Sequence, residues 1–473
     1  MNSAVPGHVF REYDIRGIAD RDLSDNLAYG IGRGLARTLA DELGREIKVA
    51  VGRDCRLSSP RLFAALTKGL NAAGATVIEI GEGPTPMLYF AAHHLGTDGA
   101  VMITGSHNPG DENGFKMMRG KASFYGADIQ KLKARIEAGL LDEDAGDRKP
   151  GSIEQEDVRD AYVAAMKERF DLAKATFPFV VDAGNGAGGP LAMKTMTALG
   201  LTPDPLFCEM DGNFPNHHPD PTVLENIAAL VARVKETKAR VGIAYDGDAD
   251  RLGAVDETGE VIWGDKLMIL FARGLLKTNP GATILGEVKC SQTLYDDIAK
   301  HGGKPVIWKT GHSLIKTKMK ETGALLAGEM SGHLFFADRY FGFDDAIYAS
   351  LRLLEILAND PRPLSEMLAD VPKTFSTPEL RLDCPDAIKF AVVAAVTKHF
   401  KDAGNDVLDI DGARINFADP GAHAPKWGLV RASNTGPILV MRFEAGTAEE
   451  LEAIKQQVEA VVARERAALA SLV

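Results

Sequence analysis

No stretch of the 473-residue sequence is apolar for long enough to span a bilayer, so a helical membrane protein is excluded and no membrane partner is expected. Cysteine is scarce. The four residues Cys55, Cys208, Cys290 and Cys384 lie far apart, with no CxxC pair, which argues against a disulfide framework or a thiolate metal site and for a reducing compartment. The opening MNSAVPGHVF has neither the basic nor the apolar segment of a secretory leader, and a cytoplasmic protein is expected. Positive charge is not in excess: 54 Lys and Arg stand against 66 Asp and Glu, a net charge of −12. That balance speaks against nucleic acid as a partner. It leaves room for a small anion held in a locally basic cleft.

The composition, 45% hydrophobic and 25% charged, is that of a globular protein, and the length predicts about three or four domains. Apolar runs at 47–51, 76–80 and 100–103 read as strands, separated by helical periodicity over 26–43, a Ser59-Pro60 helix start and a Pro84-Thr85-Pro86 helix start. Strands alternating with helices predict an α/β unit, closed by a helix over 128–140. The polar, acidic stretch 142–157 reads as a linker, followed by a helix over 158–170. Strands at 179–182 and 240–245 predict a second α/β unit, and strands at 283–286, 306–308 and 325–328 a third. A weak internal repeat of strand, polar loop and helix runs through the three. After Ser376-Thr377-Pro378 the pattern changes to more strand, ending in a helix whose start, Thr447-Ala448-Glu449-Glu450, is a capping box. The expected units are 1–152, 153–258, 259–373 and 374–473.

Each unit delivers polar residues where a strand ends, which is where open α/β sheets bind ligands. Residues 103–116 read ITGSHNPGDENGFK. Ser106 sits there in a loop, beside His107, with Lys116 able to fold back towards it, an arrangement suited to a nucleophile or phosphate carrier. The serine is read as an exposed loop hydroxyl. Asp246, Asp248 and Asp250 alternate in DGDADR directly after a buried strand. Their mutual repulsion calls for a divalent cation, and ligation by carboxylates alone suits Mg²⁺. A polar hairpin tip is the alternative; an EF-hand is excluded by the missing glycine and bidentate glutamate. Arg431-Ala432-Ser433-Asn434-Thr435 gathers a guanidinium, two hydroxyls and an amide, a natural phosphate clamp or simply a hairpin turn. The glycine-rich loop 183–189 lacks a phosphate-binding fingerprint and is read as close packing. On charge alone FREYDIRG, residues 10–17, is read as an exposed edge segment.

TGSHNPGDENGFK, DGDADR, GEMSGH (residues 328–333) and RASNTGP (431–437) occur together and in this order in the α-D-phosphohexomutases. The chain resembles that family over nearly its whole length, and within it the bacterial phosphomannomutase/phosphoglucomutase group, to which FREYDIRG and FPNHHPDP (214–221) also point. The resemblance implies an α/β protein of four domains round a central cleft, three related α/β mixed-sheet domains plus a smaller C-terminal α+β domain. It implies reversible interconversion of hexose 1-phosphate and hexose 6-phosphate through a phosphoserine and a 1,6-bisphosphate that reorients in the cleft. Ser106 would carry the phosphoryl group. Asp246, Asp248, Asp250 and the serine phosphate would hold Mg²⁺, and glucose or mannose 1,6-bisphosphate would act as activator. Tyr13, Arg16, His107, Lys116 and Arg251 would surround the transferred group, with Lys116 or His107 moving the proton. Glu329, Ser331 and His333 would grip the sugar, Lys289, Gly311 and His312 would line its path, and Arg431, Ser433, Asn434 and Thr435 would hold the far phosphate. A monomer or weak oligomer is expected.

Three rival readings remain. A phosphatase with Asp246 as nucleophile needs a DxDxT loop, which Ala249-Asp250 breaks. A non-catalytic sugar-phosphate sensor has no use for Ser106, Lys116 and the aspartates together. A phosphoglucosamine mutase of the same family usually has glutamine at the position of Met330.

Overall fold

The computed structural model describes residues 5–140, 149–418, 424–434 and 436–471. Four sheets follow one another along the chain. In the first, the expected strands are Lys48–Arg53, Thr76–Glu82 and Gly99–Ile103, with Lys48–Arg53 parallel to both of the others. Their interleaved helices begin as the sequence indicates. Ser59–Ala72 and Thr85–His94 carry proline in the first turn, where a missing amide hydrogen costs nothing. Asp25–Leu43 is capped by Ser24, whose hydroxyl accepts from the Leu27 amide at 3.2 Å.

After Gly99–Ile103 the chain makes a short polar loop and returns antiparallel as Glu112–Arg119, with Met102 opposite Lys116. The fold-back of Lys116 is thus a strand pairing. The same step recurs twice. Val241–Tyr245 returns as antiparallel Leu252–Asp256, and Leu326–Gly328 as antiparallel Leu334–Phe336. In the second sheet Val241–Tyr245 also lies parallel to Phe179–Asp182, and in the third Thr283–Glu287 lies parallel to both Lys304–Trp308 and Leu326–Gly328. The internal repeat is therefore topological: parallel strands, a polar loop, then an antiparallel return. The three loops are residues 104–111, 246–251 and 329–333.

Two stretches differ in detail from their reading. Of the expected linker, residues 142–148 lie outside the described residues, but Ile153–Gln155 pairs parallel with Thr76–Glu82 as an edge strand of the first sheet. A three-residue exposed strand is too short to show alternation in a polar context. The glycine-rich loop does serve close packing, since a Cβ on Gly186 would stand 2.8 Å from the carbonyl oxygen of Gly247.

One apolar core runs continuously through the first three units, joining Phe90, Phe179, Tyr245, Phe271 and Tyr348. The fourth sheet is antiparallel throughout and has its own core, with Val392, Phe400, Phe443 and Val458 between the sheet and the helices Lys389–Asp402 and Ala448–Ala470. The last helix is capped as expected, Thr447 Oγ1 accepting from the Glu450 amide at 3.1 Å. Three mixed α/β units and a smaller α+β unit make up the molecule. The seam between third and fourth combines a small apolar cluster, Val288 with Trp427 and Leu429, with polar links. Arg414 lies 3.9 Å from the Trp427 ring and donates to the carbonyls of Val288 (2.6 Å) and Cys290 (2.9 Å). Glu444 accepts from Ser291 Oγ at 2.5 Å and from Trp427 Nε1 at 2.6 Å.

Because that seam joins two separately cored bodies, Arg414→Ala is expected to release the fourth unit without unfolding the rest, at a cost of about 2–4 kcal/mol for the lost charged hydrogen bonds. Denaturant unfolding should split into two steps, with early proteolytic cleavage near residue 376. A single, unshifted transition would contradict the separation.

Candidate active site

Ser106 lies just beyond the strand Gly99–Ile103, and its backbone is left-handed at φ 50°, a conformation uncommon for a residue with a side chain. Its amide donates to Thr104 Oγ1 at 2.9 Å and its hydroxyl donates to Asp246 Oδ2 at 2.8 Å. The serine is not the exposed hydroxyl read from the sequence: it is 2% exposed. The DGDADR loop covers it. Gly247 sits so close that a Cβ there would stand 2.3 Å from the Ser106 carbonyl oxygen. Sequence reasoning placed the serine at a strand end but had no means of seeing a second sheet's loop on top of it.

Asp246, Asp248 and Asp250 do join two antiparallel strands, as in the hairpin reading, yet each is wholly buried. Their carboxylate oxygens lie within 4.8 Å of one another. Lys116 Nζ donates to Asp248 at 2.7 Å and to Asp250 at 2.5 Å, and Thr85 Oγ1 also donates to Asp248. Arg251 Nε is 3.9 Å from Asp246. Burial, then the neighbouring Asp250 and Asp248, push the Asp246 carboxyl well above the ordinary range. Burial opposes charge on Lys116, but Asp248 and Asp250 outweigh it and hold the ammonium above the usual lysine value. Even so, Asp248 Oδ1 has no hydrogen-bond partner, and Asp250 Oδ1 is faced only by His333 Nε2 at 3.2 Å. A buried carboxylate oxygen left unpartnered amid three carboxylates fits a hard divalent cation.

The third unit's loop closes the other side. His333 Nε2 is 3.2 Å from Asp250 and its Nδ1 2.8 Å from Glu329 Oε2. Burial works against its charge, but Asp250 and Glu329 raise its pKa to about 9. Burial likewise opposes charge on Glu329, which the bond from His333 nevertheless brings down to about 2. Glu329 Oε1 accepts from the Gly311 amide at 2.6 Å, and Ser331 Oγ donates to Glu329 Oε2 at 3.3 Å. His312 stacks on His333 with ring centres 5.8 Å apart, and burial and then Lys316 keep it well below the ordinary histidine range. Gly311 cannot carry a side chain: its φ is 127° and a Cβ would stand 2.5 Å from the Tyr13 ring.

Tyr13 and Arg16 belong to the segment read as an exposed charged edge. It is an edge strand, Ile15–Ile18, but both side chains turn inwards. Arg16 donates to Asn108 Oδ1 at 2.9 Å and pairs with Asp14 at 2.5 Å. The Tyr13 hydroxyl donates to the Thr310 carbonyl at 2.9 Å and accepts from Asn434 Nδ2 at 2.9 Å. One residue of the first unit thereby touches the third and the fourth. In the RASNTGP loop, Arg431 Nε donates to Asp411 at 3.1 Å, and Ser433 Oγ accepts from the Gly436 amide at 3.2 Å. Thr435 lies outside the described residues. Lys289 Nζ donates to Glu379 at 3.1 Å, across the seam to the fourth unit. His107 Nδ1 is 2.7 Å from Asp220; burial, then Arg251, lower its pKa to about 4 despite that carboxylate.

The expected residues inside the description therefore form one continuous polar surface contributed by all four units. Four partners were missed. Asp220 stands in FPNHHPDP, where its neighbour histidines could have pointed to it. Thr85, Asp411 and Glu379 carry no local signal, because their roles arise from contacts between units.

The chain matches four family models in order: phosphoglucomutase/phosphomannomutase alpha/beta/alpha domain I over residues 7–142, domain II over 160–259, domain III over 263–375 and the C-terminal domain over 379–461. It is 47% identical over 453 residues to a phosphomannomutase/phosphoglucomutase of Pseudomonas aeruginosa, covering 95% of this chain and 94% of that one. It is 45% identical over 464 residues to a phosphoglucomutase of Neisseria gonorrhoeae, covering 97% and 98%. A crystal structure of a phosphoglucomutase/phosphomannomutase family protein from Burkholderia thailandensis superposes with a TM-score of 0.88 at 43% identity, covering 98% of both chains. Matched from end to end in sequence and in fold, the chain belongs to the phosphoglucomutase/phosphomannomutase family of α-D-phosphohexomutases.

Proposed function

We propose that this protein interconverts hexose 1-phosphate and hexose 6-phosphate, with mannose and/or glucose as the sugar, through a phosphoserine at Ser106 and a 1,6-bisphosphate that turns end for end in the cleft. The observation that carries this reading is the 2.8 Å contact between Ser106 Oγ and Asp246 inside a buried cluster of three carboxylates, Lys116 and Arg251. The sugars come from the relatives' names, phosphomannomutase/phosphoglucomutase and phosphoglucomutase.

Phosphoryl transfer asks for positioning and for neutralisation of spread negative charge. Lys116 and Arg251 would meet the phosphoryl oxygens on Ser106. Asp246, Asp248 and Asp250 would hold Mg²⁺, which when bound neutralises charge on the transferring group. Transfer to the sugar breaks the bond between phosphorus and Ser106 Oγ and makes one to a sugar oxygen. The sugar hydroxyl loses a proton and Oγ regains one. His107 or Lys116 would move these protons. Glu329 and Ser331 would grip sugar hydroxyls common to both orientations, and Arg431, Ser433, Asn434 and Thr435 would hold whichever phosphate is not reacting. Arg431 would exchange Asp411 for that phosphate. A glucose or mannose 1,6-bisphosphate would prime the serine.

Ser106→Ala is expected to lower turnover by more than about a thousandfold, and phosphopeptide mapping after incubation with glucose 1,6-bisphosphate should place the label on Ser106. A label on Asp246 would overturn the serine mechanism. Chelation should stop turnover and Mg²⁺ restore it. Asp248→Asn should weaken the response, seen independently as loss of the Mg²⁺-induced rise in melting temperature; activity surviving thorough chelation would refute the cation site. Arg431→Ala should raise the Michaelis constant about tenfold or more for both 1- and 6-phosphosugars, as loss of a charged phosphate contact does, and release free bisphosphate. An effect in one direction only would mean that the clamp is not shared.

A further inference from the structure

Beneath the serine loop lies a residue in none of the motifs. Arg56 follows the strand Lys48–Arg53, the neighbour of Gly99–Ile103, and its side chain is wholly buried. Its guanidinium donates four hydrogen bonds, all to main-chain carbonyls of one short stretch. Nη1 reaches Pro109 at 2.5 Å and Glu112 at 2.8 Å; Nη2 reaches Ser106 at 2.7 Å and Asn108 at 2.6 Å. Nε faces Asp54 Oδ2 at 3.3 Å, and the same carboxylate oxygen accepts from the Gly105 amide at 3.2 Å. The Phe214 ring of the second unit lies 5.4 Å from the guanidinium carbon. Gly105 is glycine for this reason: a Cβ would stand 2.5 Å from Arg56 Cζ.

A loop of this kind would ordinarily turn its carbonyls towards water. Here four point inwards at one planar fork. The peptides flanking Ser106 are then fixed on both sides, the amide by Thr104 Oγ1 and the carbonyl by Arg56 Nη2. That is what keeps Ser106 at φ 50°, a conformation it has no intrinsic reason to prefer. With the backbone fixed, the direction of Oγ towards Asp246 follows.

We propose that Arg56 is a positioning residue for the phosphoryl carrier: its guanidinium grips the backbone of residues 106–112 and so presents Ser106 Oγ to the aspartate cluster. It makes no contact with the aspartates, Lys116 or the sugar-loop residues, and acts through Ser106. Lysine cannot replace it, because three tetrahedral donors do not match four carbonyls around a plane. The inference rests on Ser106 being the carrier.

The test compares wild type, Arg56→Lys, Arg56→Ala and Gly105→Ala, with Ser106→Ala alongside. Turnover per folded molecule is measured with glucose 1-phosphate and glucose 1,6-bisphosphate. In Arg56→Lys and Gly105→Ala kcat should fall about 30- to 100-fold, as expected for a displaced reacting group, with KM within about threefold because the grip and clamp are elsewhere. Added guanidinium should partly restore kcat of Arg56→Ala, and equal methylammonium should not. A merely structural arginine would lower the melting temperature and leave kcat of the folded fraction unchanged, so kcat within about threefold of wild type in both variants overturns the proposal. If Arg56→Lys does not fold, Gly105→Ala, which keeps the arginine and adds one methyl, decides by the same criterion. Ser106→Ala separates the two readings: an active Ser106→Ala removes the carrier assignment, whereas an inactive one beside fully active Arg56→Lys and Gly105→Ala removes only the role of Arg56.

Discussion

Three buried carboxylates held within a few ångströms of one another are the constraint on which the rest of this molecule depends. Two unit charges about 4 Å apart interact by about 4 kcal/mol at an effective dielectric near 20, and burial adds a desolvation cost for each. The second unit cannot meet that cost alone. Lys116 comes from the first unit, His333 from the third, and Arg251 from the loop itself. Unit arrangement and site chemistry are therefore one problem: the sheets are placed so that cations from two neighbours reach an anionic loop, and Asp248 Oδ1 still remains without a partner.

That demand explains why one apolar core spans the first three units, beside the local cores that each also has. Ammonium and imidazole can balance carboxylates only at hydrogen-bond distance, and a hinge between these units would separate them. The fourth unit is under no such demand. It has its own core and a seam of polar links round one small apolar cluster, and it reaches the site through Asn434 on Tyr13 and through the Asp411 link between Arg431 and the Thr310 amide. The cycle proposed above, in which a bisphosphate turns between two transfers, calls for a rigid reacting centre and one movable wall, and the core that spans the first three units stops short of the fourth.

Much of the site was legible in the chain. Ser106, the alternating aspartates, GEMSGH and RASNTGP each follow a strand, and side chains at a strand's end gather at one edge of a sheet for reasons already local to the sequence. The helix starts at Ser59-Pro60 and Pro84-Thr85-Pro86 and the cap at Thr447 were likewise local: a missing amide or a side-chain acceptor acts within one turn. The strand Ile153–Gln155 was hidden because three exposed residues, only one of them apolar, carry no period.

What the sequence determined by itself is which residue types stand at which strand ends: a hydroxyl at Ser106, three alternating carboxylates, a Glu-Ser-His loop and an Arg-Ser-Asn-Thr loop. What only the tertiary structure decided is their environment. Ser106 is buried because Gly247 lets another sheet's loop lie on it. The aspartates are a buried cluster and not an exposed hairpin tip because residues of two neighbouring units cover them. Tyr13 and Arg16 left the solvent edge for the cleft, and Arg56, with no motif around it, became the support of the serine loop. Burial and long-range pairing depend on which sheets face one another, and no local window of sequence carries that information.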